Sequence, residues 1–366
     1  MANIFDYLNW RGDLSLDKSE FNEIDNLLLA RFSYFPFDSI IQQDEIVTIK
    51  ELSERFEEAD KTDMDILQKE DIQLFLSMGN SKRFGEMKAN QYINKIDIKE
   101  EKQFSAITIL MPDNTIYISF RGTDNTIIGW KEDCNMSFKN HLPAQKDAVD
   151  YLKKISEMYT NNLRIGGHSK GGNLAVYSAM FASEEIQKRI LKIYNNDGPG
   201  FNDEIIQTNE YKNIIEKVYT FIPQSSIIGM LLNHQEKYIV LKSTQVGIMQ
   251  HDLYNWQLCG TKFIYLDEVT NGSKFVNKTI KDWLLKVSPE QREQFIDILF
   301  EILNITQATT IKELKANAFV NAKLILKKYN NVDEESKKLI TLAITAFFTI
   351  AKDNILEQLP HIKLNK

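Results

Sequence analysis

The residues that carry the clearest chemistry are Gly167-His168-Ser169-Lys170-Gly171, with a further glycine at Gly172. The apolar run Leu163–Ile165 precedes them, and a segment patterned as a helix, Asn173–Ala182, follows. A G-x-S-x-G in that setting is a strand-to-helix turn that lifts a serine hydroxyl above the end of a sheet. The chemistry demands that geometry. Gly167 and Gly171 leave room where a Cβ would collide with neighbouring chain. The N–H groups that open the following helix face the point where negative charge develops during attack on a carbonyl. Ser169 is therefore the candidate nucleophile, and the backbone N–H of Lys170, the next residue, is a candidate oxyanion donor.

A serine nucleophile needs a histidine within hydrogen-bond reach and an acid to orient that histidine. The chain holds five histidines. His141 precedes the serine, His361 is near the end of the sequence, and His168 points away from the hydroxyl in such a turn. In sheets of this type the chain order is nucleophile, acid, histidine, with the histidine after the last strand. Tyr238–Leu241 reads as that strand and Gln250-His251-Asp252 follows it. His251 is the preferred base, with His234 as the alternative. Asp197, in Asn195-Asn196-Asp197-Gly198-Pro199-Gly200, stands where a strand ends, and catalytic groups of open α/β sheets gather at such ends. The same residues also fit an Asx-type turn before Gly-Pro. Ser226 is a possible neutral orienter, whereas Asp252 adjoins His251 and is poorly placed to orient its ring.

The elements that must position these groups can be read around them. Ala106–Leu110 and Thr115–Phe120 are β-branched and aromatic runs joined by Pro112-Asp113-Asn114, a hairpin signal. Short apolar runs follow at Leu163–Ile165, Leu191–Tyr194, Val218–Ile222 and Tyr238–Leu241, interleaved with helical segments Ala144–Tyr159 and Asn173–Ala182. That alternation predicts an α/β fold with a mostly parallel sheet and helices on its faces. Residues 1–104 are mostly polar with helical patches at Asp17–Phe32 and Ile49–Glu58, and predict a helical lead-in packed on the catalytic core of residues 105–270. Residues 271–366 predict a C-terminal helical region over Lys274–Val287, Pro289–Leu303, Ile311–Lys328 and Glu334–Leu359. Ile296, Leu299, Phe300 and Leu303 recur there at three- and four-residue steps, the mark of an amphipathic helix. This region suits a lid or an oligomer contact.

Three stretches together resemble the class 3 lipases of the α/β-hydrolase superfamily, and more closely the bacterial lipase-like proteins of the Mbeg1-like family. The first is Gly167-His-Ser-Lys-Gly-Gly. The second is Tyr117-Ile-Ser-Phe-Arg-Gly-Thr-Asp followed by Trp130 and Asp133, similar to the lipases' strand, Arg-Gly-Ser/Thr turn and Trp-x-x-Asp segment. The third is Tyr194-Asn-Asn-Asp-Gly-Pro-Gly, where those lipases carry a Gly-x-Pro turn. The lipase resemblance spans about residues 105 to 255, and the closer one extends through Phe5–Trp10 and Phe32–Pro36. It implies an α/β-hydrolase core and a second oxyanion donor at Thr123, with Arg121 a structural ion-pair partner. It also exposes a departure. The lipases place an aspartate after the strand matching Val218–Ile222, and this chain reads Pro223-Gln-Ser-Ser-Ile-Ile-Gly there, without a carboxylate.

The composition, 43% hydrophobic and 26% charged, is that of a globular protein. A formal net charge of −7 argues against nucleic acid or anionic membrane as the main partner. Two cysteines, Cys134 and Cys259, make no disulfide framework. The first residues show no leader pattern, and the longest apolar stretch, Leu339–Ala351, falls short of the ~20 residues of a spanning helix. A cytoplasmic location is the expectation. No cofactor or metal is implied, because no His/Cys/Asp/Glu cluster has ligand spacing. The sum predicts a serine hydrolase acting on an acyl ester or lipid-like small molecule. The alternatives are an acyltransferase using the same site and a non-catalytic binding or regulatory protein that kept the fold.

Overall fold

A computed structural model of the chain describes residues 2–42, 44–61 and 64–358. Leu359 and His361 lie outside the described residues.

Strands in chain order are β1 (Val47–Thr48), β2 (Lys88–Asp97), β3 (Lys102–Leu110), β4 (Ile116–Phe120), β5 (Leu163–His168), β6 (Ile190–Asn196), β7 (Val218–Pro223), β8 (Tyr238–Leu241), β9 (Leu258–Cys259), β10 (Lys262–Phe263) and β11 (Tyr265–Leu266). Nine form one sheet in the order β1-β2-β3-β4-β5-β6-β7-β8-β11, while β9 and β10 pair separately. The central block β4 to β8 is parallel throughout. Antiparallel strands flank it on both sides. Asn114, at a left-handed φ of 61°, turns the chain between β3 and β4, so the Pro-Asp-Asn signal does mark a hairpin.

Two compact units are present: residues 1–124 with 140–269, and residues 125–139 with 270–366. In the first, the parallel strands run in sequence order, and crossovers of one hand stepping one way put their helices on the same face. That face carries α6 (Pro143–Met158), α7 (Lys170–Met180) and α10 (Asn209–Ile214), whose Ala148, Leu152, Leu174 and Tyr211 pack with Ile118, Phe120 and Ile165. The shorter α8 (Glu184–Arg189) and α9 (Asp203–Ile206) complete the connections. The opposite face needs another cover. It comes from α1 (Ile4–Arg11), α2 (Glu23–Phe32), α3 (Ile49–Glu58) and α4 (Glu70–Gly79), which share one core with Ile107, Ile109, Tyr117 and Tyr194. With both faces covered, β3 and β4 are buried at almost every position, which is why they read as continuous rather than alternating apolar runs.

The second unit is helical: α5 (Ile127–Asn135), α11 (Asn271–Lys286), α12 (Pro289–Asn304), α13 (Ile311–Ala316), α14 (Ala318–Asn330) and α15 (Glu334–Gln358). Ile127 packs on Ile296 and Phe300, and Trp283 Nε1 donates to the Ala343 carbonyl at 2.9 Å.

Several bounds differ from the sequence expectations, each for a local reason. The sheet begins well before residue 105. Strand β2 escapes pattern reading because it is half-solvated, flanked on its outer side by the two-residue β1, and its register shifts between Asn90 and Ile93. Helix α2 starts at Glu23 rather than Asp17, because Asn22 and Asp25 close a capping box there. The helix expected over Ile311–Lys328 breaks at Asn317, whose φ of −113° and ψ of 33° are not helical.

Candidate active site

Ser169 sits between β5 and α7 at φ 58°, ψ −134°, a conformation that costs a non-glycine residue about 1–3 kcal/mol and persists only where its surroundings impose it. Here they do. The Ser169 N–H donates to the Asn196 carbonyl at 3.0 Å, and the Gly172 N–H returns to the Ser169 carbonyl at 2.9 Å. The glycines record how closely strand and helix approach. A Cβ on Gly167 would lie 2.3 Å from the Gly171 carbonyl carbon, one on Gly171 2.1 Å from the Phe120 carbonyl oxygen, and one on Gly172 2.2 Å from Asn195 Oδ1. No side chain larger than hydrogen fits at these three positions without moving backbone or a buried amide.

The Arg121-Gly122-Thr123 turn at the end of β4 lies directly beside the serine. A Cβ on Gly122 would stand 3.1 Å from Ser169 Cβ. Lys170 opens α7, which places its backbone N–H in the first turn of the helix, directly after Ser169. Its side chain is buried, with Nζ donating to the backbone carbonyl and Oε1 of Gln103 at 2.9 and 2.7 Å. Arg121 Nη2 bonds Asp124 Oδ2 and Asn94 Oδ1, each at 2.9 Å.

His251 closes a short 3-10 turn after β8, and its Nδ1 lies 2.7 Å from Asp197 Oδ2. Asp197 follows β6 at a left-handed φ of 52° and is fully buried. Its N–H is fixed to the Phe221 carbonyl at 2.8 Å. The other carboxylate oxygen, Oδ1, accepts from Ser226 Oγ at 2.5 Å and from the Gly229 N–H at 3.2 Å. The missing carboxylate after β7 is thus replaced by a hydroxyl and an amide that steady the carboxylate of the neighbouring strand. Sequence reasoning did not anticipate that task for Ser226, and nothing short of the fold signals it. Among the described residues no hydrogen bond joins the Ser169 hydroxyl to His251.

The other candidates lie elsewhere. Asp252 caps the Tyr254 N–H at 3.1 Å and bonds Asn255 Nδ2 at 3.0 Å. His234 pairs with Glu236 at 2.9 Å, and His141 bonds the Tyr177 hydroxyl at 2.6 Å. Ile227, Ile228 and Leu231 are half-buried, while Met230 joins a small core with Ile222, Val240 and Val269. Among the described residues no His/Cys/Asp/Glu group could hold a metal ion, and no helix is long and apolar enough to cross a membrane.

A mostly parallel sheet whose middle strand delivers a serine through a glycine-walled turn into a helix is an α/β-hydrolase fold. The chain belongs to the Mbeg1-like family, whose model matches residues 78–301. Among solved structures it is similar to the Rhizomucor miehei lipase propeptide complex, at 14% identity over 46% of this chain and 68% of that one, with a TM-score of 0.36. Lipase II from Rhizopus niveus is similar at 16% identity over 50% of this chain and 74% of that one, with a TM-score of 0.36. No curated protein matches the chain in sequence.

Proposed function

We propose that this protein is a serine hydrolase that cleaves carboxylic esters or thioesters of small acyl or lipid-like substrates through an acyl-Ser169 intermediate. The observation that carries the reading is the 2.7 Å contact of Asp197 with His251, on the same sheet end where Ser169 is held in a strained turn. In the first half-reaction Ser169 Oγ attacks the carbonyl carbon while His251 Nε2 takes the hydroxyl proton. Asp197, accepting from Nδ1–H, keeps the ring in the required tautomer and stabilises the imidazolium. The N–H groups of Lys170 and Thr123 receive the oxyanion, and each such donor is worth about 10²–10³ in turnover. Collapse breaks the bond to the alcohol or thiol, which leaves with the proton from His251. Water, deprotonated by the same ring, then attacks the acyl-serine, and as the acyl–Oγ bond breaks the ring returns that proton to Ser169 Oγ and the acid is released.

A second reading, a binding protein that kept the fold without the chemistry, draws on the missing Ser169–His251 hydrogen bond. Such contacts are often long before substrate binds, and labelling separates the two readings. A fluorophosphonate probe should attach to Ser169 in the wild type and not in Ser169→Ala, which should also lose p-nitrophenyl ester hydrolysis while keeping its melting temperature. Unlabelled wild type, or an alanine variant with substantial turnover, ends the hydrolase assignment.

A further inference from the structure

His168 precedes the nucleophile, yet its ring serves another partner. It is 4% exposed, and its Nε2 lies 2.8 Å from the backbone carbonyl of His251. A carbonyl oxygen only accepts, so Nε2 carries the proton, and the unprotonated Nδ1 faces the Tyr34 hydroxyl at 3.1 Å, which shares its one proton between that nitrogen and the His168 backbone carbonyl, also at 3.1 Å. The two imidazoles also lie face against face, with centroids 4.5 Å apart and planes tilted by 32°.

We infer that His168 is a positioning residue for His251, a neutral imidazole that pins the carbonyl of the His251 loop through Nε2–H and backs the His251 ring with its own. The inference rests on the hydrolase reading for its kinetic consequence, though its geometry does not. The loop needs such anchors. Val246, Ile248 and Met249 are 77%, 58% and 60% exposed, so the turn has almost no core of its own. Its fixed points are Gln250, whose Oε1 accepts the Ser225 N–H at 2.7 Å, the Gln250 carbonyl, held by Trp256 Nε1 at 2.8 Å, and the His251 carbonyl, held by His168. Tyr34 is itself fixed, with the Arg31 guanidinium 4.5 Å from its ring centre and Arg31 bonded to Asp71 at 2.5 and 2.8 Å.

Neutrality is built into the surroundings. The groups facing His168 are Tyr34, His251 and, behind Tyr34, Arg31, with Asp197 on the far nitrogen of His251. Burial, followed by the neighbouring His251 ring and the Arg31 guanidinium, holds the His168 ring well below the ordinary histidine range. A protonated His168 would place a second cation against the His251 imidazolium that the reaction must form.

Two substitutions divide the roles. His168→Gln can still present an amide donor to the His251 carbonyl but loses the ring, whereas His168→Phe keeps the ring and loses the donor. His168→Phe should lower kcat for p-nitrophenyl butyrate by about tenfold to a hundredfold, the scale of an ångström-level misplacement of a catalytic group, with KM within a few-fold. His168→Gln should restore most of that loss, which a merely structural role would not produce. Long-range proton–nitrogen NMR of the wild-type imidazoles should show His168 as the neutral Nε2–H form at pH 5. A His168 that protonates in the ordinary range, or carries its proton on Nδ1, would overturn the inference, as would a phenylalanine variant with unaltered kcat. If the wild type neither hydrolyses esters nor labels while the NMR signature holds, the hydrolase reading fails and the loop anchor stands.

Discussion

Asp197 is tied by four contacts that leave its carboxylate little freedom: its own N–H to Phe221, Ser226 and Gly229 on Oδ1, and His251 on Oδ2. Asparagine is the informative replacement, because it tolerates the left-handed backbone that Asp197 adopts. Asp197→Asn should therefore leave melting temperature and KM nearly unchanged while lowering kcat by up to ~10⁴, the cost of presenting the wrong imidazole tautomer. Asp252→Asn, whose side chain hydrogen-bonds Tyr254 and Asn255, should do far less. Undiminished activity per folded molecule in Asp197→Asn would make Asp197 a turn residue and nothing more. The His168 ring supplies a stability test at the same scale. Its folded pKa is depressed, so below about 6.5 the unfolded chain takes up a proton that the native ring refuses, and stability falls as pH falls. His168→Gln should accordingly lose less stability than the wild type between pH 7 and pH 5 in urea titrations. Equal losses would show that the buried ring is not the group responsible.

At the scale of elements, the turn from β5 into α7 is where sequence and structure speak most directly to each other. Gly167, Gly171 and Gly172 were legible because glycine reports steric necessity, and each abuts an atom that a methyl group would strike. Gly171→Ala puts a Cβ 2.1 Å from the Phe120 carbonyl oxygen, so α7 must shift against β4. The expected result is a loss of about 1–3 kcal/mol in stability and about a hundredfold slower labelling of Ser169 as the start of α7 moves. Labelling at the wild-type rate would show that α7 does not need this contact to set the site. His251 and Asp197 could be reached as neighbours through the order of elements and the small number of histidines. No comparable signal marked β2, with its polar, half-solvated Asn-Gln-Tyr-Ile-Asn-Lys run, or α5, a short helix between two motifs. Tyr34 and Gly229 were also silent, since their importance comes from contacts 134 and 32 residues away in sequence.

At the scale of the molecule, the parallel strands and their crossovers leave one face of the sheet bare, and the N-terminal helices are what make the fold complete. A buried polar assembly binds them together. Arg83 Nε and Nη2 grip both oxygens of Asp25 at 2.6 and 2.5 Å, with both side chains fully buried. The remaining guanidinium donors reach the carbonyls of Leu14, Ser19 and Glu20 at 3.0, 2.9 and 3.1 Å, and the Tyr7 hydroxyl donates to Asp25 at 2.7 Å. The assembly thus fastens the end of α1, the chain before α2 and the segment after α4 to one point. Removing the carboxylate would leave the guanidinium buried without its counter-charge, a loss of about 3–5 kcal/mol when one partner of a buried pair is deleted. That is a large share of the roughly 5–15 kcal/mol that holds a typical domain folded. Asp25→Ala should therefore move the urea midpoint of the sheet-bearing unit sharply downward. Hydrolysis should fall only in proportion to the folded fraction, because Asp25 touches neither Ser169, His251 nor Asp197. A variant within about 1 kcal/mol of the wild type would mean that water or a shifted side chain replaces the carboxylate.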